Sequence, residues 1–90
     1  MRKEIRRIDF STKFLKQHKK APIEIKRAWI KRFALFSQDP SNKQLNNHQL
    51  TGKLKGFRSI NITGDYRAIY SERIDAIVFE ALGTHSQLYK

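Results

Sequence analysis

Three short segments in the last third of the chain constrain the fold most, because each has the length and composition of a β-strand. They span residues 58–62, 66–71 and 76–82, and short turns join them. With residues 63–65 as a three-residue turn, Asn61 lies opposite Arg67 and Ile60 opposite Ala68. The apolar face then carries Ile60, Ile62, Tyr66, Ala68 and Tyr70, and the other face carries Ser59, Asn61, Arg67, Ile69 and Ser71.

The second turn of this meander is predicted to centre on Arg73 and Ile74. That register adds Ile77, Phe79 and Ala81 to the apolar face and sets Glu80 across from Arg67.

The first third predicts a strand followed by two helices. Residues 4–10 alternate in part, which favours a strand. Ser11 has the character of an N-cap, and Phe10 and Leu15 have the spacing of a hydrophobic staple for a helix over residues 12–19.

A second helix begins near Pro22 and ends at Asp39-Pro40. Its apolar residues Ile25, Trp29, Phe33 and Phe36 recur at helical spacing, so they are predicted to face the core. Residues 37–56 then form a polar connection that is long for so small a domain, and such loops often carry function.

Together these elements predict a single α+β domain over residues 1–90. An N-terminal strand and a two-helix hairpin pack on one face of a mostly antiparallel sheet of about four strands. The other face is left partly bare and polar, with Arg67 on it.

The charge of the chain points to a polyanionic partner. It has 19 Lys and Arg against 8 Asp and Glu, a net charge of +11, and twelve of the basic residues lie within residues 1–36. The second helix carries Lys26, Arg27, Lys31 and Arg32 away from its apolar stripe. Nucleic-acid contact and ordinary solvation explain this basic surface equally well.

Several classes of protein and site are excluded or disfavoured. Without cysteine there is no disulfide, thiolate zinc site or cysteine nucleophile. No apolar run approaches the roughly 20 residues of a membrane span, and no secretory signal is present, so we expect a cytoplasmic chain without a membrane partner. Three scattered histidines predict no metal site, and no motif predicts a small-molecule cofactor.

Metal-free RNA cleavage needs only side chains, because the 2′-OH can attack the adjacent phosphate. A protein must take one proton, donate another and stabilise the extra negative charge. The residues of suitable type are His48, Asp65, Arg67, His85 and Tyr89. The alternative for the tail is structural, with Leu88 and Tyr89 packed on the sheet and His85 at the surface.

Three stretches also carry a family resemblance: residues 48–58 (HQLTGKLKGFR), 64–70 (GDYRAIY) and 83–89 (GTHSQLY). In this order they resemble the RelE/YafQ-type toxins of type II toxin–antitoxin modules. The resemblance implies their fold, an acidic antitoxin partner, and metal-independent cleavage of mRNA in the ribosomal A site, with rRNA and mRNA as partners.

The resemblance also assigns roles by position. His48 and His85 match proton-transfer histidines, Asp65 an acidic residue that positions mRNA, Arg67 the ligand of the scissile phosphate, and Tyr89 an aromatic that aligns the nucleotide. The residues expected to contact RNA are Lys26, Arg27, Lys31, Arg32, Lys53, Lys55 and Asn61. Two departures from YafQ relatives are Asn61 in place of a histidine and Ala81 in place of an arginine.

Two other functions remain open from the sequence. ParE-like toxins share this fold and poison DNA gyrase without cutting RNA, although they generally lack the set His48, His85 and Tyr89. A plain RNA-binding domain would explain the charge but not the convergence of these residue types.

Overall fold

The predicted meander is part of a larger sheet. In the computed structural model, which describes residues 6–89, five strands have the spatial order β1–β5–β4–β3–β2. The strands are β1 (Arg7–Phe10), β2 (His48–Gln49), β3 (Phe57–Asn61), β4 (Tyr66–Glu72) and β5 (Ala76–Thr84). β1 pairs with β5 in parallel, and the other neighbours are antiparallel. The α+β class is confirmed.

The prediction of about four strands missed β2. This strand is only two residues long and lies inside the polar connection, where so short a segment leaves no alternating pattern to detect. The rest of that connection includes two 3₁₀ turns, Lys43–Leu45 and Gly52–Leu54. At the N-terminus, Arg6 precedes the strand, and the predicted strand residues Glu4 and Ile5 lie outside the described residues.

The register of β3 and β4 follows the prediction. Asn61 is paired with Arg67 and Ile60 with Ala68. The alternation of Ser59 and Asn61 with Ile60 and Ile62 therefore separates a polar face from a core face.

The predicted register of β4 and β5 was wrong. Arg67 pairs with Gly83, and Glu80 is an extra residue between the pairs Tyr70–Phe79 and Ile69–Ala81. This bulge moves Ala81 to the face opposite the core and puts Leu82 in its place. The bulge turns the carbonyl of Glu80 out of the strand pairing, and this carbonyl accepts a hydrogen bond from the Ser11 hydroxyl at 2.8 Å.

Two long helices cover the core face: α1 (Thr12–Lys20) and α2 (Ile23–Gln38). Ser11 caps α1, since its Oγ accepts from the Phe14 N–H at 2.9 Å. The predicted staple is not formed as expected, because Leu15 is 54% exposed while Phe10 packs on the aromatic core.

The core lies between these helices and the sheet. Phe79 of β5 is fully buried, and its ring meets Trp29 and Phe36 of α2 at centroid distances of 5.1 and 5.4 Å. The predicted apolar stripe of α2 thus faces the core, with Phe33 at its half-buried edge. No helix in residues 6–89 is long and apolar enough to cross a membrane.

Candidate active site

The sheet face turned away from α1 and α2, here called the open face, aligns several predicted site residues. Opposite residues of antiparallel strands project to the same side of a sheet. One row across this face is Asn61, Arg67 and Gly83, and the next row is His48, Ser59, Ile69 and Ala81. The register therefore brings Arg67, Asn61 and His48 onto one surface.

Arg67 is held in place by the turn between β3 and β4. Its Nη1 donates to the carbonyls of Thr63 at 3.2 Å, Gly64 at 2.9 Å and Tyr66 at 3.4 Å. The two ion pairs among residues 6–89 are Arg6–Glu72 and Arg7–Asp9, so neither neutralises Arg67. The result is a preorganised positive charge, and a guanidinium of this kind suits phosphate oxygens.

His48 stands on the edge strand β2, at one side of Arg67. Its imidazole is exposed, and Nδ1 lies 2.7 Å from the carbonyl oxygen of Asn46. Two strand spacings separate β2 from β4, about 9.5 Å. His48 is therefore a neighbour of Arg67 across a gap, and the two do not form a contact pair.

His85 stands on the other side of Arg67, at the start of the short helix α3 (His85–Leu88). Thr84 and Gln87 form a reciprocal capping box there: the Gln87 side chain accepts from the Thr84 N–H at 2.9 Å, and Thr84 Oγ1 accepts from the Gln87 N–H at 3.3 Å. The backbone N–H of His85 donates to the carbonyl of Asp65 at 3.1 Å. Asp65 and His85 are thus neighbours at the same end of the sheet as Arg67.

Tyr89 follows α3 and packs against His85. The two rings have a centroid separation of 4.5 Å and an interplanar angle of 60°. His85 is exposed and Tyr89 half-buried, while Leu88 lies over Gly83 of the sheet. The half-buried Leu88 and Tyr89 and the exposed His85 fit the structural alternative for the tail, and the same exposure leaves the His85 imidazole available at the surface.

Two polar atoms on the open face have no partner. Ser59 is fully buried, and its Oγ lacks a hydrogen bond within residues 6–89, as does the buried Oδ1 of Asn61. Buried polar atoms are normally satisfied, so a water molecule is the expected partner of these two atoms. Ser59 was missed from the sequence, where the only signal was a small hydroxyl residue between apolar neighbours at the predicted open face.

The predicted RNA-binding lysines and arginines do not join this site. Lys26, Arg27, Lys31 and Arg32 lie on α2, in the layer on the other side of the sheet. Arg27 and Lys31 are exposed, whereas Arg32 donates to the carbonyl of Gln44 at 3.0 Å. Basic surface and candidate active site are therefore separate regions.

Lys53 and Lys55 are also remote from Arg67. Both lysines are exposed and lie in the loop between Leu50 and Phe57, whose backbones are hydrogen-bonded to each other. This loop precedes the first residue of β3, whereas Asn61 is the last residue of that strand. An RNA that contacted these lysines and Arg67 together would have to run along the sheet.

The site does not coincide with the cleft beside α2. A cleft of about 970 Å³ lies elsewhere, at the end of α2 and beside Tyr70 and Arg73, and none of the predicted site residues lines it. Within residues 6–89 no group of three or more His, Asp and Glu side chains is arranged to hold a metal ion.

Chemically, the site has one fixed cation on β4, one imidazole on β2 and another just after β5. The cation can hold a phosphate, and an imidazole can exchange protons near neutrality. β2 and β5 lie on opposite sides of β4, which is the strand order needed for a bound group to lose a proton on one side and gain one on the other.

Comparisons with known proteins agree with this architecture. Residues 5–90 match the model of a family described as a bacterial toxin of type II toxin–antitoxin systems, YafQ. No curated protein matches the sequence.

Among solved structures, YafQ from E. coli strain BL21(DE3) is 22% identical with a TM-score of 0.74, covering 96% of this chain and 100% of that one. The E. coli DinJ–YafQ complex gives 23% identity and a TM-score of 0.72, with the same coverage of 96% and 100%. A YoeB/ParE toxin from Agrobacterium tumefaciens gives 12% identity and a TM-score of 0.71, covering 88% of this chain and 98% of that one. At these identities the structures establish the shared fold.

Proposed function

Because the chain belongs to the YafQ family of toxins from bacterial type II toxin–antitoxin systems, we propose that it is a ribosome-dependent endoribonuclease. It cleaves mRNA in the ribosomal A site without a metal ion and so inhibits translation.

The observation that carries this proposal is the arrangement around Arg67. The half-buried Arg67, tethered at 2.9 Å to the carbonyl of Gly64 and without an ion pair within residues 6–89, lies on β4, with His48 on β2 to one side and His85 after β5 to the other. Phosphate capture by Arg67 neutralises part of the charge that develops in the transition state.

In-line cleavage needs proton transfer on both sides of the phosphorus. The 2′-oxygen forms a bond to phosphorus as the bond to the 5′-oxygen breaks, leaving a 2′,3′-cyclic phosphate and a 5′-hydroxyl. One group takes the 2′-OH proton, and another protonates the departing 5′-oxygen. His48 and His85, on opposite sides of Arg67, suit these two steps.

The other site residues align the substrate. Tyr89, half-buried against His85, stacks on a neighbouring base. Asp65, joined through its carbonyl to the backbone of His85, positions the nucleotide beside that imidazole. Asn61, half-buried on the open face, contacts the sugar or phosphate through the N–H groups of its side-chain amide, which are donors.

An acidic antitoxin is the proposed protein partner. The E. coli toxin of the same fold was crystallised with DinJ, and the net charge of +11 favours an acidic counterpart. The basic surface of α2, on the far side of the sheet, is proposed to contact rRNA while the open face meets mRNA.

Mapping mRNA 5′ ends on programmed ribosomes tests the cleavage. We expect cuts within the A-site codon, 5′-hydroxyl products, and no cut where the nucleotide before the scissile phosphate is 2′-deoxy. The same mRNA without ribosomes should stay intact. Cleavage of the 2′-deoxy message would contradict the mechanism, and an intact message together with inhibition of DNA gyrase would favour the ParE-like alternative.

A further inference from the structure

The contact between His48 and Asn46 indicates where the proton of a neutral His48 ring lies. A carbonyl oxygen only accepts hydrogen bonds, so the Nδ1 atom at 2.7 Å from Asn46 O must donate. A neutral imidazole carries one proton, and Nε2 is then an unprotonated acceptor.

This carbonyl owes its direction to an unusual backbone conformation. Asn46 has φ 46° and ψ 48°, the left-handed region, and it is the only non-glycine residue within residues 6–89 with a positive φ. It ends the 3₁₀ turn Lys43–Leu45, with its N–H donating to the carbonyl of Lys43 at 3.2 Å. The Asn46 side chain is exposed. What this position supplies to the segment is therefore its left-handed backbone conformation.

The next residue fixes the segment to the body of the protein. The Asn47 side chain donates to the Tyr70 hydroxyl at 2.7 Å and accepts from Arg58 Nε at 2.8 Å. β2 then pairs His48 with Ser59. Since the chain is anchored immediately after Asn46, the dihedral angles of Asn46 decide whether its carbonyl meets the imidazole.

We propose that Asn46 is a positioning residue, whose left-handed backbone holds His48 as the Nδ1–H tautomer and makes Nε2 the general base. This inference rests on the proposed nuclease function. The 2′-OH proton moves to Nε2 as the 2′-oxygen bonds to phosphorus, and the resulting imidazolium keeps its Nδ1–H bond to the Asn46 carbonyl. His85 is then the acid that protonates the 5′-oxygen.

The test compares two substitutions that both remove the exposed amide. Asn46→Gly adopts a positive φ without strain, whereas Asn46→Val, with a β-branched side chain, does not. The ¹⁵N NMR signals of His48, assigned with His48→Gln, report the tautomer directly. We expect the Nδ1–H form in the wild type and in Asn46→Gly, and a shift toward the Nε2–H form in Asn46→Val.

Cleavage on programmed ribosomes should follow the tautomer. We expect Asn46→Gly to stay near wild type and Asn46→Val to lose about tenfold in rate, in line with part of a general-base contribution. Thermal melts confirm folding, and Asn46→Ala replaces the valine variant if that variant does not fold.

The inference is overturned if the wild-type ring carries its proton on Nε2, or if Asn46→Val keeps the wild-type tautomer. Failure of the proposed function is a separate result. The expected tautomers with no ribosome-dependent cleavage by the wild type would overturn the nuclease assignment and leave the positioning of His48 standing.

Discussion

Gly83 and Gln87 approach so closely that a side chain on Gly83 would crowd the Gln87 amide. A Cβ on Gly83 would lie 3.0 Å from Gln87 Oε1 and 3.4 Å from Leu88 Cδ2. The same Oε1 accepts from the Thr84 N–H in the capping box of α3. Glycine at this point lets the C-terminal helix fold back over the sheet, next to Arg67.

Gly83→Ala should therefore disturb the helix that carries His85. The methyl group must push the Gln87 amide aside by a few tenths of an ångström, which weakens the cap, and complete loss of a cap costs about 0.5–2 kcal/mol. We expect a melting temperature lower by several degrees, and cleavage reduced about tenfold because small displacements of catalytic groups are costly. Gly64→Ala is the matched stability control, since nothing lies within 4 Å of its Cβ position.

Arg67→Ala should lower cleavage of ribosome-bound mRNA at least tenfold, because it removes the charge that is proposed to hold the phosphate. Arg67→Lys should restore little, since an ammonium lacks the planar fork of donors. Arg73→Ala, an exposed arginine just beyond the opposite end of β4, controls for the removal of one positive charge. Near-normal cleavage by a folded Arg67→Ala protein would remove Arg67 from the mechanism.

The sequence predicted the β3–β4 part of the site because hydrophobic alternation and turn length agreed there. Ile60 and Ile62 alternate with Ser59 and Asn61, so only one register keeps the apolar residues on one face. That pattern was sufficient to pair Asn61 with Arg67 and to place both on the open face.

The β5 part of the site could not be predicted in the same way. Ile77, Phe79 and Ala81 continue a regular alternation, but the bulge at Glu80 interrupts it. The Ser11 hydroxyl, which accepts in the predicted cap, also binds the Glu80 carbonyl, a tertiary contact that no local pattern contains. The gap between His48 and Arg67 likewise depends on β2, whose two residues leave no periodic signal.

Reversing the charge of Arg27 and Lys31 should weaken ribosome binding and flatten its salt dependence. Both side chains are exposed on α2, and fewer counterions are released when fewer phosphates are neutralised by the protein. Arg32 is held by the Gln44 carbonyl and should contribute less to ribosome binding. Lys26 is half-buried, so its contribution to binding should lie between those of Arg32 and the two exposed residues. Binding measured over a range of salt concentrations checks this.

Lys13→Glu with Lys16→Glu is the matched control for that experiment, because it reverses two exposed charges on α1. Equal reductions of affinity in both double variants would mean that overall charge, and no particular surface, drives the association.

Tyr70 should make stability depend on alkaline pH. Burial raises the pKa of its hydroxyl above the ordinary value of 10.0, against the opposing hydrogen bond from Asn47. The folded protein disfavours the phenolate more than the unfolded chain does, so the free energy of unfolding falls as the pH rises above 10.0.

Tyr70→Phe isolates this effect. Below that pH the variant lacks the bond to Asn47, at a cost of about 1 kcal/mol. As the pH rises above 10.0, the free energy of unfolding of the wild type should fall more steeply than that of the variant. The difference in unfolding free energy between the two proteins should therefore become smaller. Urea unfolding of both proteins across this range measures it, and a constant difference would contradict the prediction.

His85 and Tyr89 should give different results on substitution, since the proposed mechanism gives proton transfer to His85 and substrate alignment to Tyr89. His85 is exposed, and its backbone is fixed through Asp65, so His85→Ala removes the imidazole without disturbing the core. We expect His85→Ala to abolish cleavage and toxicity while antitoxin binding and folding persist.

Tyr89→Phe keeps the ring that lies 4.5 Å from His85 and should retain most activity if stacking is its role. A loss like that of His85→Ala would instead assign the hydroxyl to proton transfer or phosphate contact. Mapping of mRNA 5′ ends on programmed ribosomes decides both, and full cleavage by His85→Ala would move the acid role to Asp65.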